Sequence, residues 1–381
     1  MRIVIVGGGI VGCSTAYYLC EKRKWIVEEM KKKTEQDEIV VIDSVGIAGA
    51  ASGRAGGFLA RDWHEGATAK LAKRSFDLHK ELAERFGASK IGYRSVCALQ
   101  PTCPAVGGAV GSKRWYRCEG EEEPPLIASR ERAAQVIPER LVKQMFDASD
   151  AKLIVGHVVG LSREKDDRLS VEYSTPSSSV KSTLLADAVL FACGPWTGDV
   201  TKRCGYEMKD VVKGQKAASI LLKPRAKAAS LDDSMLFVDW RGDRRAGELE
   251  LYPRLDGLYV CGCGSSPGPV NELPAEVTIA TTSKDILLRC AAEVCPEHFS
   301  AVEKSQILRA TACYLPVTRR GIVAGALDRH VFVATGHSCW GILNGPATGS
   351  GMAGMILSSL YPRTDAFSKD HDVSLLKPFS C

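Results

Sequence analysis

Apolar residues follow two rhythms along this chain. Short apolar runs at 3–6, 39–42, 186–192 (with Asp187 inside it) and 331–335 are each closed by glycine or polar residues. Such runs predict strands buried on both faces, as in a parallel sheet. Leu71, Phe76, Leu78, Leu82 and Phe86 recur at helical spacing and predict a helix over 68–86. A second helix is expected over 138–148, opened by Pro138, and strands at 152–161 and 169–173. From about residue 205 to 315 the rhythm changes. Strand-like runs at 218–222, 235–239, 248–252 and 258–261 are separated by charged or glycine turns, which predicts an antiparallel sheet. A helix is expected over 276–295, and the glycine- and proline-rich stretch 101–125 reads as a loop.

The first run leads into the most specific pattern. Gly7, Gly9 and Gly12 form G-x-G-x-x-G between a strand and a helix opening near Ser14. Gly7 permits the tight turn, Gly9 admits a pyrophosphate to the backbone, and Gly12 lets helix and strand pack closely. The free N–H groups of the helix start then face the phosphates, and Ile10 in the turn is a further cofactor-binding candidate. The second run ends in Asp43, placed to accept ribose hydroxyls; a plain strand-end carboxylate is the alternative. Ser44 follows instead of an arginine, which argues against a 2′-phosphate and NADP. The opening run is too short for a membrane span and lacks a basic leader.

Lys and Arg number 50 against 45 Asp and Glu, a net charge of +5. That balance is too mild to argue for nucleic acid or a membrane surface. The 14 cysteines show no C-x-x-C pair, so a zinc site is not expected. With a strand expected from the second residue onward, there is no room for a cleaved leader, and free thiols in the cytoplasm are expected.

A second glycine turn follows 331–335, and a helix is expected to start near Pro346 and Ala347. Small residues fill 46–57, where backbone can approach a flat or charged ligand. A site built from both ends of the chain exceeds what a simple NAD domain needs.

The segments GGGIVGCSTAYYL, VVIDS, AASGRAGGFLA, GHVVGL, FACGPW, VVKGQ, ACYLPVT and ATGHSCWGILNGPATG occur in one order. In that order the chain resembles the D-amino-acid-oxidase-type FAD-dependent oxidoreductases, which include glycine oxidase and sarcosine oxidase. AQVIP and the YPR-DG-YVCG run are most similar to a eukaryotic branch of FAD oxidoreductases that carries little known chemistry. The resemblance implies an α/β fold: an FAD-binding Rossmann-like domain of glutathione-reductase type with an inserted antiparallel-sheet substrate domain. The cofactor domain would comprise 1–85, 137–205 and 316–381, and the substrate domain 86–136 and 206–315.

The resemblance further implies that Ala51, Ser52, Gly53 and Arg54 lie along the pyrophosphate and ribityl chain. Gly56, Gly57 and Phe58 would pass close to the isoalloxazine. Val158 or Val159 would meet the adenine, and Cys193, Gly194 and Trp196 would line the nucleotide cleft. Trp340, Gly341, Ile342, Leu343, Asn344 and Thr348 would sit at the flavin. Helix capping is the plain role for Ser52 and Thr348. Cys313 matches the place of a covalent flavin link in sarcosine oxidases, with a small buried residue as the alternative. Leu315 stands where the amino-acid oxidases carry a carboxylate-gripping arginine; Arg254, Arg61 or Arg319 could serve instead, with a plain surface arginine as the alternative for each. Tyr252, Arg254, His337 and Trp340 are the catalytic candidates, and for His337 a loop histidine is the alternative. The expected reaction is hydride transfer from a C–N carbon of a small amine or amino acid to FAD, with oxygen or another acceptor reoxidising it. An FAD-binding assembly or trafficking factor without turnover is the rival. Oligomeric state is left open.

Overall fold

The computed structural model describes residues 1–30, 37–103, 115–119, 123–176, 180–225, 231–362, 367 and 369–381. The aliphatic runs form a six-stranded sheet in the order Val323–Asp328, Val331–Thr335, Ala188–Phe191, Arg2–Val6, Glu38–Asp43, Lys152–Val155. Five strands are parallel and the edge strand Val323–Asp328 is antiparallel. Both faces are covered, which explains the unbroken apolar runs. On one face Ile3, Ile5 and Leu190 pack against helices Ile10–Met30, Gly66–Phe86, Pro138–Asp147 and Gly341–Leu360. On the other, Val4, Val40 and Phe191 pack against a three-stranded meander.

That meander corrects two expected strands. The run 152–161 breaks at Gly156 into Lys152–Val155, in the parallel sheet, and His157–Arg163, in the meander. A Cβ at Gly156 would stand 2.6 Å from the Ser174 carbonyl oxygen. The run 186–192 is divided at Asp187: Ser182–Ala186 closes the meander and Ala188–Phe191 enters the parallel sheet.

The middle of the chain forms an eight-stranded sheet, led in order by Ile307–Val317, Lys213–Leu222, Gly257–Gly262, Leu249–Arg254 and Ser234–Trp240. It is antiparallel except where Cys97–Leu99 and Thr102–Cys103 run parallel to Ser234–Trp240. Helix Thr281–Val294 covers one face, over Leu236, Leu251 and Val260. It starts later than expected: Pro274–Glu276 is a separate 3₁₀ turn. Part of the stretch 101–125, namely 104–114 and 120–122, lies outside the described residues. Trp115 and Tyr116 within it are buried in the core under this sheet, so that part is no exposed loop.

Candidate functional site

The first helix begins at Ile10, four residues earlier than expected. Its Ile10 N–H is capped across the turn by Ser52 Oγ at 2.9 Å. Gly7 sits at φ 120°, where a Cβ would stand 2.2 Å from the Ala192 carbonyl oxygen. A Cβ on Gly12 would lie 2.0 Å from the Gly7 oxygen. Both positions are closed to any side chain by backbone. Asp43, at the tip of the neighbouring strand, accepts from the N–H groups of Gly8 at 2.7 Å, Val45 at 2.8 Å and Gly46 at 2.9 Å. Its carboxylate thus ties the two strand-end turns together while lining the cleft between them.

That cleft opens at the carboxyl ends of the parallel strands, where ligands of such sheets bind. It holds about 1530 Å³ of empty space, its open mouth included. At one end lie Ser44, His157 and Val158; in the middle Gly9, Ala51, Ser52, Cys193, Gly194 and Trp196; at the other end Leu315, His337, Cys339, Gly341 and Ile342. Gly194, at φ 56°, has nothing within 4 Å of where a Cβ would stand, so its backbone opens onto the space. Burial pushes the Cys193 thiol up, and the Trp196 indole N–H donates to the Glu272 carbonyl at 2.9 Å.

The closing helix runs Gly341–Leu360 and contains Pro346, so it begins five residues before the expected start. Proline lacks an N–H and crowds the carbonyl four residues back. Here that carbonyl, Ile342, accepts from His79 Nε2 at 2.9 Å, and Ser75 Oγ accepts from the Ala347 N–H at 3.0 Å. Two side chains of helix Gly66–Phe86 thereby complete the proline-broken turn beside the cleft. Asn344, in this turn, is 1% exposed, and neither its amide oxygen nor its nitrogen has a partner among the described residues. A buried amide in that state is costly unless a polar ligand edge meets it. His337 is buried and held at 3.0 Å from Thr348 Oγ1; burial lowers its pKa to about 4, so it is neutral at pH 7.

Other expected residues stand elsewhere. Arg54 donates to the carbonyls of Ala312 at 2.6 Å and Val277 at 3.3 Å. Gly53 packs on Ala48, and Leu343 and Thr348 are buried in the helix layer. A Cβ on Gly56 would press into the Tyr252 and Tyr259 rings at 2.6 and 2.8 Å, and one on Gly57 would meet the Val136 oxygen at 2.1 Å. On the side where a Cβ would stand, both glycines abut protein. Val159 falls at a bulge in its strand pairing, with Val158 on the cleft. Cys313 is a buried free thiol, pushed up to about 11 by burial against the opposing pull of Arg54. Arg254 is paired with Asp256 at 2.7 Å, Arg61 with Asp62 at 3.2 Å, and Arg319 is exposed on a turn.

Phe58, Tyr252 and Trp340 join Trp63, Phe237 and His64 in one aromatic cluster beyond the Cys339 end of the cleft. Sequence reasoning missed Trp63, His64, Phe237 and Glu250. The readable signal was the lone acid inside the strand run LELYPR. Among the described residues there is no metal-holding cluster and no helix long and apolar enough to cross a membrane.

The family model described as FAD dependent oxidoreductase (DAO) matches residues 2–355. By sequence, the chain is 28% identical over 380 residues to "Putative oxidoreductase C1F5.03c" of Schizosaccharomyces pombe, covering 93% of this chain and 94% of that one. By structure, it is similar to glycine oxidase from Geobacillus kaustophilus, with a TM-score of 0.72 and 19% identity over 100% of this chain and 98% of that one. Glycine oxidase from Bacillus cereus ATCC 14579 gives a TM-score of 0.69 and 18% identity over 94% and 97%. These structural likenesses bear on the fold.

Proposed function

The chain belongs to the DAO family of FAD-dependent oxidoreductases, and from that premise we propose that it oxidises the C–N bond of a small amine or amino acid. Bound FAD supplies a two-electron acceptor able to take a hydride from the carbon next to nitrogen. The carrying observation is convergence: glycine turns from the two ends of the chain open onto one cleft, which Leu315 and Pro316 of the eight-stranded sheet also line. The residues fit the cofactor. Gly7, Gly9, Ile10 and Gly12 present a pyrophosphate turn, Ser52 flanks it, and Asp43 with Ser44 meets the ribose. Gly156–Val158 meets the adenine, and Cys193, Gly194 and Trp196 border the chain between.

Gly341 and Ile342 line the cleft for the polar edge of the flavin, where a helix start favours negative charge, and the unpartnered Asn344 amide is buried in the turn behind them. His337, neutral and held by Thr348, keeps that end free of a positive charge. The segments 1–85, 137–205 and 316–381 act in this reading as the cofactor unit and 86–136 with 206–315 as the substrate unit, a division supported by the membership of the two large sheets. Oxygen or another acceptor takes the electrons. All 14 cysteines are free thiols, which supports a reducing, cytoplasmic setting.

Leu315 on the cleft favours a second reading, a flavin-holding factor without turnover, because the resemblance places a substrate-gripping arginine there. Anaerobic mixing of the purified holoprotein with a panel of amines and amino acids separates the two. Loss of the flavin band near about 450 nm with any member is expected; a flavin left oxidised by the whole panel overturns the oxidase reading.

A further inference from the structure

Glu250, Tyr252 and Arg254 alternate onto the face of the eight-stranded sheet away from helix Thr281–Val294, where Tyr252 is buried against Phe58 and Tyr259. The register sets Glu250 opposite Phe237 on one neighbouring strand and Cys261 on the other, with Tyr252 opposite Tyr259. Glu250 Oε2 accepts from Tyr252 Oη and from Cys261 Sγ. Oε1 takes no hydrogen bond and no cation pairs with the carboxyl among the described residues. The side chain nevertheless keeps accessible surface, as do Phe237, Trp63 and Trp340 beside it. Phe237 meets Trp63 at 4.9 Å between ring centroids and Tyr252 at 5.6 Å, and Trp340 meets Trp63 at 6.1 Å. Trp340 follows the cleft-lining Cys339 in the chain, and through Trp63 and Phe237 its ring contacts lead from the cleft's end to the strand position opposite Glu250.

The cations nearby are already engaged. Arg254 pairs with Asp256 and Arg54 donates to two carbonyls, while Leu315 is apolar. The wall therefore offers one acid without a counter-charge and several ring faces. A buried carboxylate in that state is unfavourable until a cation arrives, and aromatic faces attract alkylated ammonium groups.

We infer that Glu250 and the rings of Phe237, Trp63, Tyr252 and Trp340 form the substrate subsite, and that it takes an alkylammonium group without a carboxylate beside the nitrogen. This rests on the proposed amine oxidation and narrows its substrate class to cationic amines.

The test is titration of the FAD-loaded protein with tetramethylammonium chloride, read by the visible flavin spectrum, at constant ionic strength. Tetramethylammonium has neither N–H nor lone pair, so binding is read without turnover. Neopentyl alcohol, an uncharged near-isostere with the same quaternary centre and one added hydroxyl oxygen, and acetate are run beside it. The expected result is a spectral shift with tetramethylammonium, at about tenfold lower concentration than with neopentyl alcohol, and none with acetate. Glu250→Gln should weaken the cation by about thirtyfold and leave the alcohol unchanged. Should that variant lose its flavin, the wild-type comparison of the two isosteres still decides. Equal binding of the isosteres, or a shift with acetate alone, overturns the subsite. Cation binding in a protein whose flavin no amine reduces keeps the subsite and sinks the oxidase reading. Reduction by carboxylated amino acids alone, without cation binding, does the reverse.

Discussion

The proline-broken turn of the closing helix makes a sharp test, because one buried histidine completes it. His79 is fully buried; burial lowers its pKa to about 4, against the pull of the Ile342 and Leu343 carbonyls. It is thus neutral at pH 7, with its proton on Nε2, since the partner is a carbonyl. Nδ1 has no partner among the described residues. His79→Leu leaves the Ile342 carbonyl buried and unmet, which costs about 1–3 kcal/mol. His79→Gln places an amide N–H near the position of Nε2, and its stability near pH 8 should stay within about 1 kcal/mol of wild type.

The pH dependence separates these variants further. The unfolded chain takes up the proton near 6.5 and the folded chain only near 4. Stability from this group is therefore full above about pH 6.5 and is lost as pH falls towards 4, by about 3 kcal/mol in all and about 2 kcal/mol by pH 5. His337 is lowered to about 4 as well, but it is shared by both proteins and cancels in the difference. Denaturant midpoints of FAD-saturated wild type and His79→Gln, measured from about pH 8 to 5, should converge and then cross, the glutamine variant being the more stable at acid pH. Parallel losses in the two proteins would refute a neutral, buried His79 as the partner of Ile342.

Gly7→Ala should give protein without bound flavin. Its Cβ would stand 2.2 Å from the Ala192 oxygen at a φ of 120°, a conflict of about 3 kcal/mol or more, and a normal flavin-to-protein absorbance ratio would refute this. Acid precipitation of the holoprotein should leave the yellow colour in the supernatant, because Cys313 is a buried thiol held protonated by a pKa of about 11. A yellow pellet that disappears in Cys313→Ser would show the reverse. Gly349→Val should lower the thermal midpoint markedly, since a Cβ there would lie 2.3 Å from Ser14 Cβ and 2.6 Å from the Ser14 carbonyl carbon, costing about 3 kcal/mol. An unchanged midpoint would mean that the first and closing helices do not touch there.

What was legible in the sequence is what backbone sterics dictate locally. Gly7 and Gly12 are glycines because backbone oxygens stand 2.2 and 2.0 Å from their would-be Cβ atoms, and the parallel strands are apolar throughout because both faces are covered. The misplaced boundaries share a different cause. The first helix starts at Ile10 because a hydroxyl 42 residues away caps it. The closing helix survives its proline because a histidine 263 residues away supplies the missing donor. Pro346 read alone marks a helix start, and only the tertiary partner turns it into an interior residue. The resemblance implies Arg54 and Gly56 at the ligand, and the contacts that the fold adds to them come from the second sheet. The same holds for the proposed substrate wall. Its period-2 face has meaning only once the register sets Glu250 against Phe237 and Cys261. An acid in an apolar strand can be seen in the sequence, but its lack of a counter-charge is a property of three strands together. That is why the glycine turns of the cleft could be read from motifs and the proposed substrate wall required the fold.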